Sequence, residues 1–195
     1  MRIVDLTAAA AALLLGTVPF ASAGAQDAAA RDSVKMDAHL VRQAVDDNRL
    51  EARLGEVAQH RASNKMVQGF AQRMVTEHQR LEKQWTDLAS KYGITVPDTL
   101  EPHGRARVKH MQDVSKPSFD KAYMTAAIKS HGQEADQLRT ELDSAHSDPV
   151  RKMVGYERPI VMDHLQGALA TGKEVGVDST VMNESKKIAE GKASK

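Results

Sequence analysis

The stretch NKMVQGFAQRMVTEHQRLEKQWTDLASKYG, residues 64–93, decides the fold. Read at heptad-like spacing it gives Val67, Phe70, Met74, His78, Leu81, Trp85, Leu88 and Tyr92. This apolar stripe is broken once, at its middle, by His78. Apolar residues returning every three or four positions mark one face of an amphipathic helix. Gly93 ends it as a terminal glycine, Pro97 lies just beyond, and Ser63 is placed to cap its start. A helix with one apolar face must bury it against other elements.

Three neighbouring stretches supply them. A first helix is expected from about Ser33 to Arg61, with Leu40, Ala44, Asp47, Glu51, Leu54 and Ala58 on its seam. Only Ala62 and Ser63 join it to the second, which forces the pair antiparallel. A third helix starts near Pro117 and Ser118 and runs to about His146, with Met124, Ile128, His131, Ala135, Leu138 and Leu142 on one face. Ser147-Asp148-Pro149 reads as a capped turn with proline at the first helical position. The fourth helix runs from Pro149 to about Thr171 and ends at Gly172, with Val150, Met153, Glu157, Ile160, His164 and Ala168 in line. Pro159, inside it, should kink the helix or open one hydrogen bond. Residues 94–116 form a long connection with a short helix over Leu100–Val114. The expectation is an all-α chain: an antiparallel four-helix bundle over residues 33–172, then a polar, disordered tail at 173–195.

The chain has 195 residues and no cysteine, which excludes disulfides and thiolate metal sites. Lys and Arg number 27 against 26 Asp and Glu, so there is no basic footprint for nucleic acid. Near the start, Arg2 precedes an apolar run from Leu6 to Phe20, and Ala21-Ser22-Ala23 offers small residues for a signal peptidase. Residues 1–25 read as a signal peptide, and the mature chain as periplasmic or outer-membrane associated. No later stretch is apolar enough to span a bilayer.

Three seams thus each carry one histidine, His78, His131 and His164, and the first helix offers Asp47 and Glu51 one turn apart. At ~1.5 Å per residue, His131 and His164 are level on either side of the 147–148 turn. On the other hairpin Asp47 is level with His78, and Glu51 lies about 6 Å nearer the turn. An unpaired carboxylate in a core costs several kcal/mol, so it needs a proton, a cation or a metal. Histidines with a carboxylate suit Zn2+ or Fe2+, and bundle cores are common places for such sites. Glu82 and Glu134, on the edges of the same faces, read either as surface charges in i,i+4 pairs or as acceptors fixing the imidazole tautomers from behind. The plain alternative is a structural cluster in which histidines and an acid only hydrogen-bond one another. A third reading, a hydrolase or oxidase activating water at the metal, finds no nucleophile–base pair, phosphate loop or cofactor motif in its support.

Four stretches make the chain resemble a known family: Ala44 through Gly55; Phe70-Ala71-Gln72-Arg73-Met74 with Glu77-His78; Phe119-Asp120-Lys121-Ala122-Tyr123 with His131; and Pro159 with His164-Leu165. Over about residues 37–171 it is similar to the ferritin-like domain-of-unknown-function family 4142, whose members are often labelled predicted outer membrane proteins. The resemblance implies a ferritin-like bundle whose 94–116 connection crosses its length, so that the second and third helices run parallel. It implies Glu51, rather than Asp47, as the acid beside His78, His131 and His164. It supplies no activity. Asn48 departs from the pattern, standing where the family usually has glycine. Nor does ferritin chemistry follow: di-iron bundles use Glu-x-x-His, and Val75, Ile128 and Val161 stand three before the histidines. The expected function is an exported envelope protein holding a metal in a binding or stress-related role.

Overall fold

The structure, a computed structural model, describes residues 23–192. Among them are seven α-helices and no strand: α1 (Ala23–Met36), α2 (Ala38–Arg61), α3 (Lys65–Tyr92), α4 (Pro102–Asp113), α5 (Phe119–Ser144), α6 (Asp148–Glu174) and α7 (Ser179–Ala189). The chain is all-α, and no described helix is long and apolar enough to cross a membrane. The apolar run read as a signal peptide lies outside the described residues.

Two helix pairs form the framework. α2 packs along α3 and α5 along α6, each pair joined by a three-residue link; α3 also meets α6, α4 lies against α2, and α7 against α5. The α3 stripe is buried as its spacing requires, from Val67 through Phe70, Met74, His78 and Leu81 to Trp85. It meets Phe119, Tyr123, Met124, Ile128 and Leu138 of α5 and Val154, Val161 and Leu165 of α6 in one core. Gly93 ends α3 at φ 71°, a left-handed conformation that glycine adopts without strain. The expected short helix in the 94–116 connection is α4.

Several local expectations shift. Asn64, one residue after Ser63, caps α3, accepting from the backbone N–H of Met66 and Val67. On α6 the buried line runs through Val154 and Val161, with Met153 and Ile160 only half-buried. Both lines have helical spacing, and the packing against α5 chooses between them. α6 runs on through Pro159 to Glu174. The first helix is broken at Asp37, which is fully buried. Its carboxylate accepts from the backbone N–H groups of His146 and Ser147 (3.0 and 2.9 Å), the Ser147 hydroxyl (2.8 Å) and the His146 ring (2.9 Å), tying the α1–α2 joint to the α5–α6 turn.

The stretch expected to be a disordered tail forms α7, docked on α5. Asp178 caps it by accepting from Thr180 N–H, and Val177, Ser185 and Ala189 are buried, with Val181 and Met182 packed against the core. These positions make a short apolar line at helical spacing that a generally polar composition conceals. Gly132 permits the contact: a Cβ there would lie 2.9 Å from both Cβ and the carbonyl oxygen of Ser185.

Candidate metal centre

α3, α5 and α6 each bring one imidazole to the same point in the core. His78, His131 and His164 are all fully buried, and one ring nitrogen from each lies within 4.8 Å of the other two. Their ring centroids are 4.9–5.5 Å apart. The Nε2 atoms of His78 and His131 are separated by 3.3 Å. That is the spacing of two ligands on a tetrahedral ion at ~2.0–2.1 Å.

The outward nitrogen of each ring determines where its proton sits. His131 Nδ1 is 2.8 Å from the Ala127 carbonyl oxygen, which only accepts, so Nδ1 carries the hydrogen. His164 Nε2 is 2.7 Å from a carboxylate oxygen of Glu77, so Nε2 donates. His78 Nδ1 is 2.9 Å from Asn48 Oδ1. The Asn48 amide cannot be reversed, because its nitrogen donates to the Ala44 carbonyl (2.9 Å) and to Glu157 (2.5 Å). His78 Nδ1 therefore donates as well. In neutral rings, each inward nitrogen is then a bare lone pair. His164 Nδ1 is buried with no hydrogen-bond partner at all.

Protonation is a poor remedy for this crowding. Burial, followed by the neighbouring His131 and His164, holds His78 well below the usual imidazole value. Burial, then His131, Arg73 and Arg80, presses His164 down to about 2. A cation bound by all three inward nitrogens satisfies them together. Histidine ligands that donate their other N–H to a carboxylate, carbonyl or amide oxygen are the usual construction of protein metal sites. The donor set therefore fits a metal ion.

The supports behind the rings are themselves fixed. Glu77 is also paired with Arg73 at 2.9 Å, and Arg73 reaches Asp163. Glu157 is 1 % exposed, yet accepts only from neutral donors, the Asn48 amide and the Trp85 indole N–H at 2.7 Å. Burial outweighs these bonds and pushes Glu157 up to about 7.

The candidate acids lie elsewhere. Glu51 does not share the 4.8 Å neighbourhood that joins the three histidines. It is buried against α4, with Arg107 at 3.7 Å, in a cleft of about 100 Å³ that Asp47, Leu50, Ser130 and Glu134 also line. Burial, then Glu51 and Asp46, raises Asp47 to about 6, and burial, then Glu157 and Glu51, raises Glu134 well above the carboxylate range. Glu82 does not back His78; it pairs with Arg49 at 2.8 Å. The side chains behind the imidazoles, Asn48 and Glu77 directly and Glu157 through Asn48, are not singled out by spacing. Glu157 left a signal as a carboxylate on the α6 line that also carries His164, and Asn48 only as a departure from the family pattern.

No curated protein and no solved structure is detectably similar to this chain. Residues 21–171, which contain the three histidines and every group behind them, match the family described as a domain of unknown function, DUF4142. The chain belongs to the DUF4142 family.

Proposed function

We propose that this chain is an exported envelope protein in which α2, α3, α5 and α6 form a ferritin-like four-helix bundle holding one metal ion, Zn2+ or Fe2+, on His78, His131 and His164. One observation carries the reading: three buried imidazoles whose outward hydrogens are all committed to oxygen acceptors turn three lone pairs toward one point. Full burial of the ligands favours holding an ion over turning over a substrate. Export rests on residues 1–25 of the sequence. The test is metal analysis of untagged protein purified from the periplasm, since a histidine tag would itself bind metal. About one equivalent of metal is expected, lost in His131→Ala. Metal-free wild type that also fails to take up Zn2+ or Fe2+ would refute the proposal.

The second reading, a purely structural histidine cluster, draws on the 3.3 Å contact between His78 and His131 Nε2, which is within hydrogen-bonding range. It needs a proton between those nitrogens. That means either turning a bare nitrogen toward the Ala127 carbonyl or Asn48 Oδ1, or burying an imidazolium, and both are unfavourable.

A further inference from the structure

Two carboxylates stand behind the histidine cluster, and they are reached by different routes. Glu77 accepts directly from His164 Nε2. Glu157 is reached through one amide: His78 Nδ1–H donates to Asn48 Oδ1, and Asn48 Nδ2 donates to Glu157 Oε1. The His78–Asn48–Glu157 path crosses from α3 through α2 to α6 with every member 1 % exposed or less. No Lys or Arg among the described residues pairs with Glu157; its second oxygen takes the indole N–H of Trp85. The third ligand, His131, backs onto a neutral backbone carbonyl.

This count of charges bears on which ion the site takes. Three neutral imidazoles add nothing to the charge of the ion they hold, so an ion bound there brings its whole charge into a sealed core. Burying uncompensated charge costs several kcal/mol, and the cost is met only by opposite charge close by. Once Glu157 is ionised, the carboxylates behind two of the three ligands offer two negative charges, although Arg73 shares Glu77. The third route offers none.

Resting on the metal reading above, we propose that Glu157, through Asn48, and Glu77 are the residues that make this site selective for a divalent over a monovalent cation. They do so by compensating charge from behind the ligands, without touching the ion. Asn48 has a separate positioning part. Its amide locks the His78 tautomer and conveys the polarity of Glu157 to it, because its two ends cannot exchange roles.

The experiment compares Co2+, whose d–d bands report binding, with Ag+, a monovalent ion that imidazoles also bind, in the untagged chain at about pH 8, where Glu157 is ionised. Loss of a group behind a ligand typically lowers metal affinity 10–100-fold. A charge effect scales with the charge of the ion, so the logarithmic loss for Ag+ should be about half that for Co2+. Glu157→Gln keeps the shape and removes the charge: a 100-fold loss for Co2+ goes with about a tenfold loss for Ag+. Glu157→Asp, which keeps the charge, should restore most of the Co2+ preference. A purely structural role would tilt His78 and weaken both ions by the same factor. Equal losses, or no loss, overturn the proposal. If Glu157→Gln does not fold, Glu77→Gln asks the same question at a half-buried position, with the same half-logarithm outcome expected and equal losses again overturning it. Wild type that binds neither ion would remove the metal reading itself. Wild type that binds both, with variants failing the ratio, would remove only the selectivity inference.

Discussion

Replacing Glu157 by glutamine removes an ionisable group from the core without changing its shape, and the effect on stability should depend on pH. Burial raises the folded pKa to about 7 from an ordinary 4.5. Between those values the folded chain keeps a proton that the unfolded chain has released. The contribution is therefore intact below pH 4.5 and is lost as pH rises through 7, with no further change above. A gap of this size corresponds to roughly 3 kcal/mol, and some 2–3 kcal/mol of it falls between pH 5 and pH 8. Glutamine does not titrate, so Glu157→Gln should gain about that much on wild type over the interval. For a chain of this length the gain equals roughly 5–10 °C in melting temperature. The assay is thermal or urea unfolding of both chains in chelator at half-unit steps of pH. The remaining titrating groups are common to both and largely cancel. Parallel curves from pH 5 to 8 would show that Glu157 does not titrate there, and the argument from burial would fail.

In the same Glu157→Gln protein the histidines should become visible: His78 and His164 are depressed, so below about pH 6.5 the unfolded chain takes up protons that the folded chain refuses. Its stability should fall more steeply than wild type on acidification, and a flat profile from pH 6.5 to 5 would contradict this. Adding Zn2+ at about 100 times its dissociation constant should stabilise wild type by ~2.7 kcal/mol and leave His131→Ala unchanged, as read by thermal melting. Gly132→Ala should lift α7, because the new Cβ meets Ser185 backbone that cannot give way; limited proteolysis should then cut near residues 176–190, and unchanged resistance would refute the docking. Asp37→Ala should cost about 3 kcal/mol in urea unfolding, since it strands the buried donors of Ser147; a loss under 1 kcal/mol would mean that water replaces the carboxylate.

What the sequence revealed and concealed divides along physical lines. Helical periodicity reports which face of a helix is apolar, and on α3 that face was unambiguous, so Phe70, Met74, His78 and Trp85 are buried together. The three histidines were legible for the same reason, as polar interruptions of apolar lines, alone on α3 and α5 and together with Glu157 on α6. The acid was not. Asp47 and Glu51 occupy the α2 seam on paper, yet Asn48 lies between them and its side chain reaches His78 and Glu157, while Glu51 turns to Arg107. Spacing fixes an angle around the helix to within one position, and one position separates a ligand from its support. In the sequence Asn48 stands out only as a departure from the family pattern, with nothing to give it a role. α7 was concealed because its apolar line is short and contains Ser185, whose burial depends on the missing side chain at Gly132, fifty-three positions away.

The three imidazoles come from two separately closed hairpins. α2–α3 contributes His78 with Asn48, and α5–α6 contributes His131 and His164 with Glu157. Each hairpin closes over a three-residue link and forms mostly local contacts, whereas the cluster exists only after the hairpins meet. An ion bound there would therefore act as a late clasp. Interactions absent from the folding transition state leave the folding rate nearly unchanged and slow unfolding. Loaded protein should refold about as fast as metal-free protein but open far more slowly, so the time for which it retains an ion and the time for which it stays folded become the same quantity.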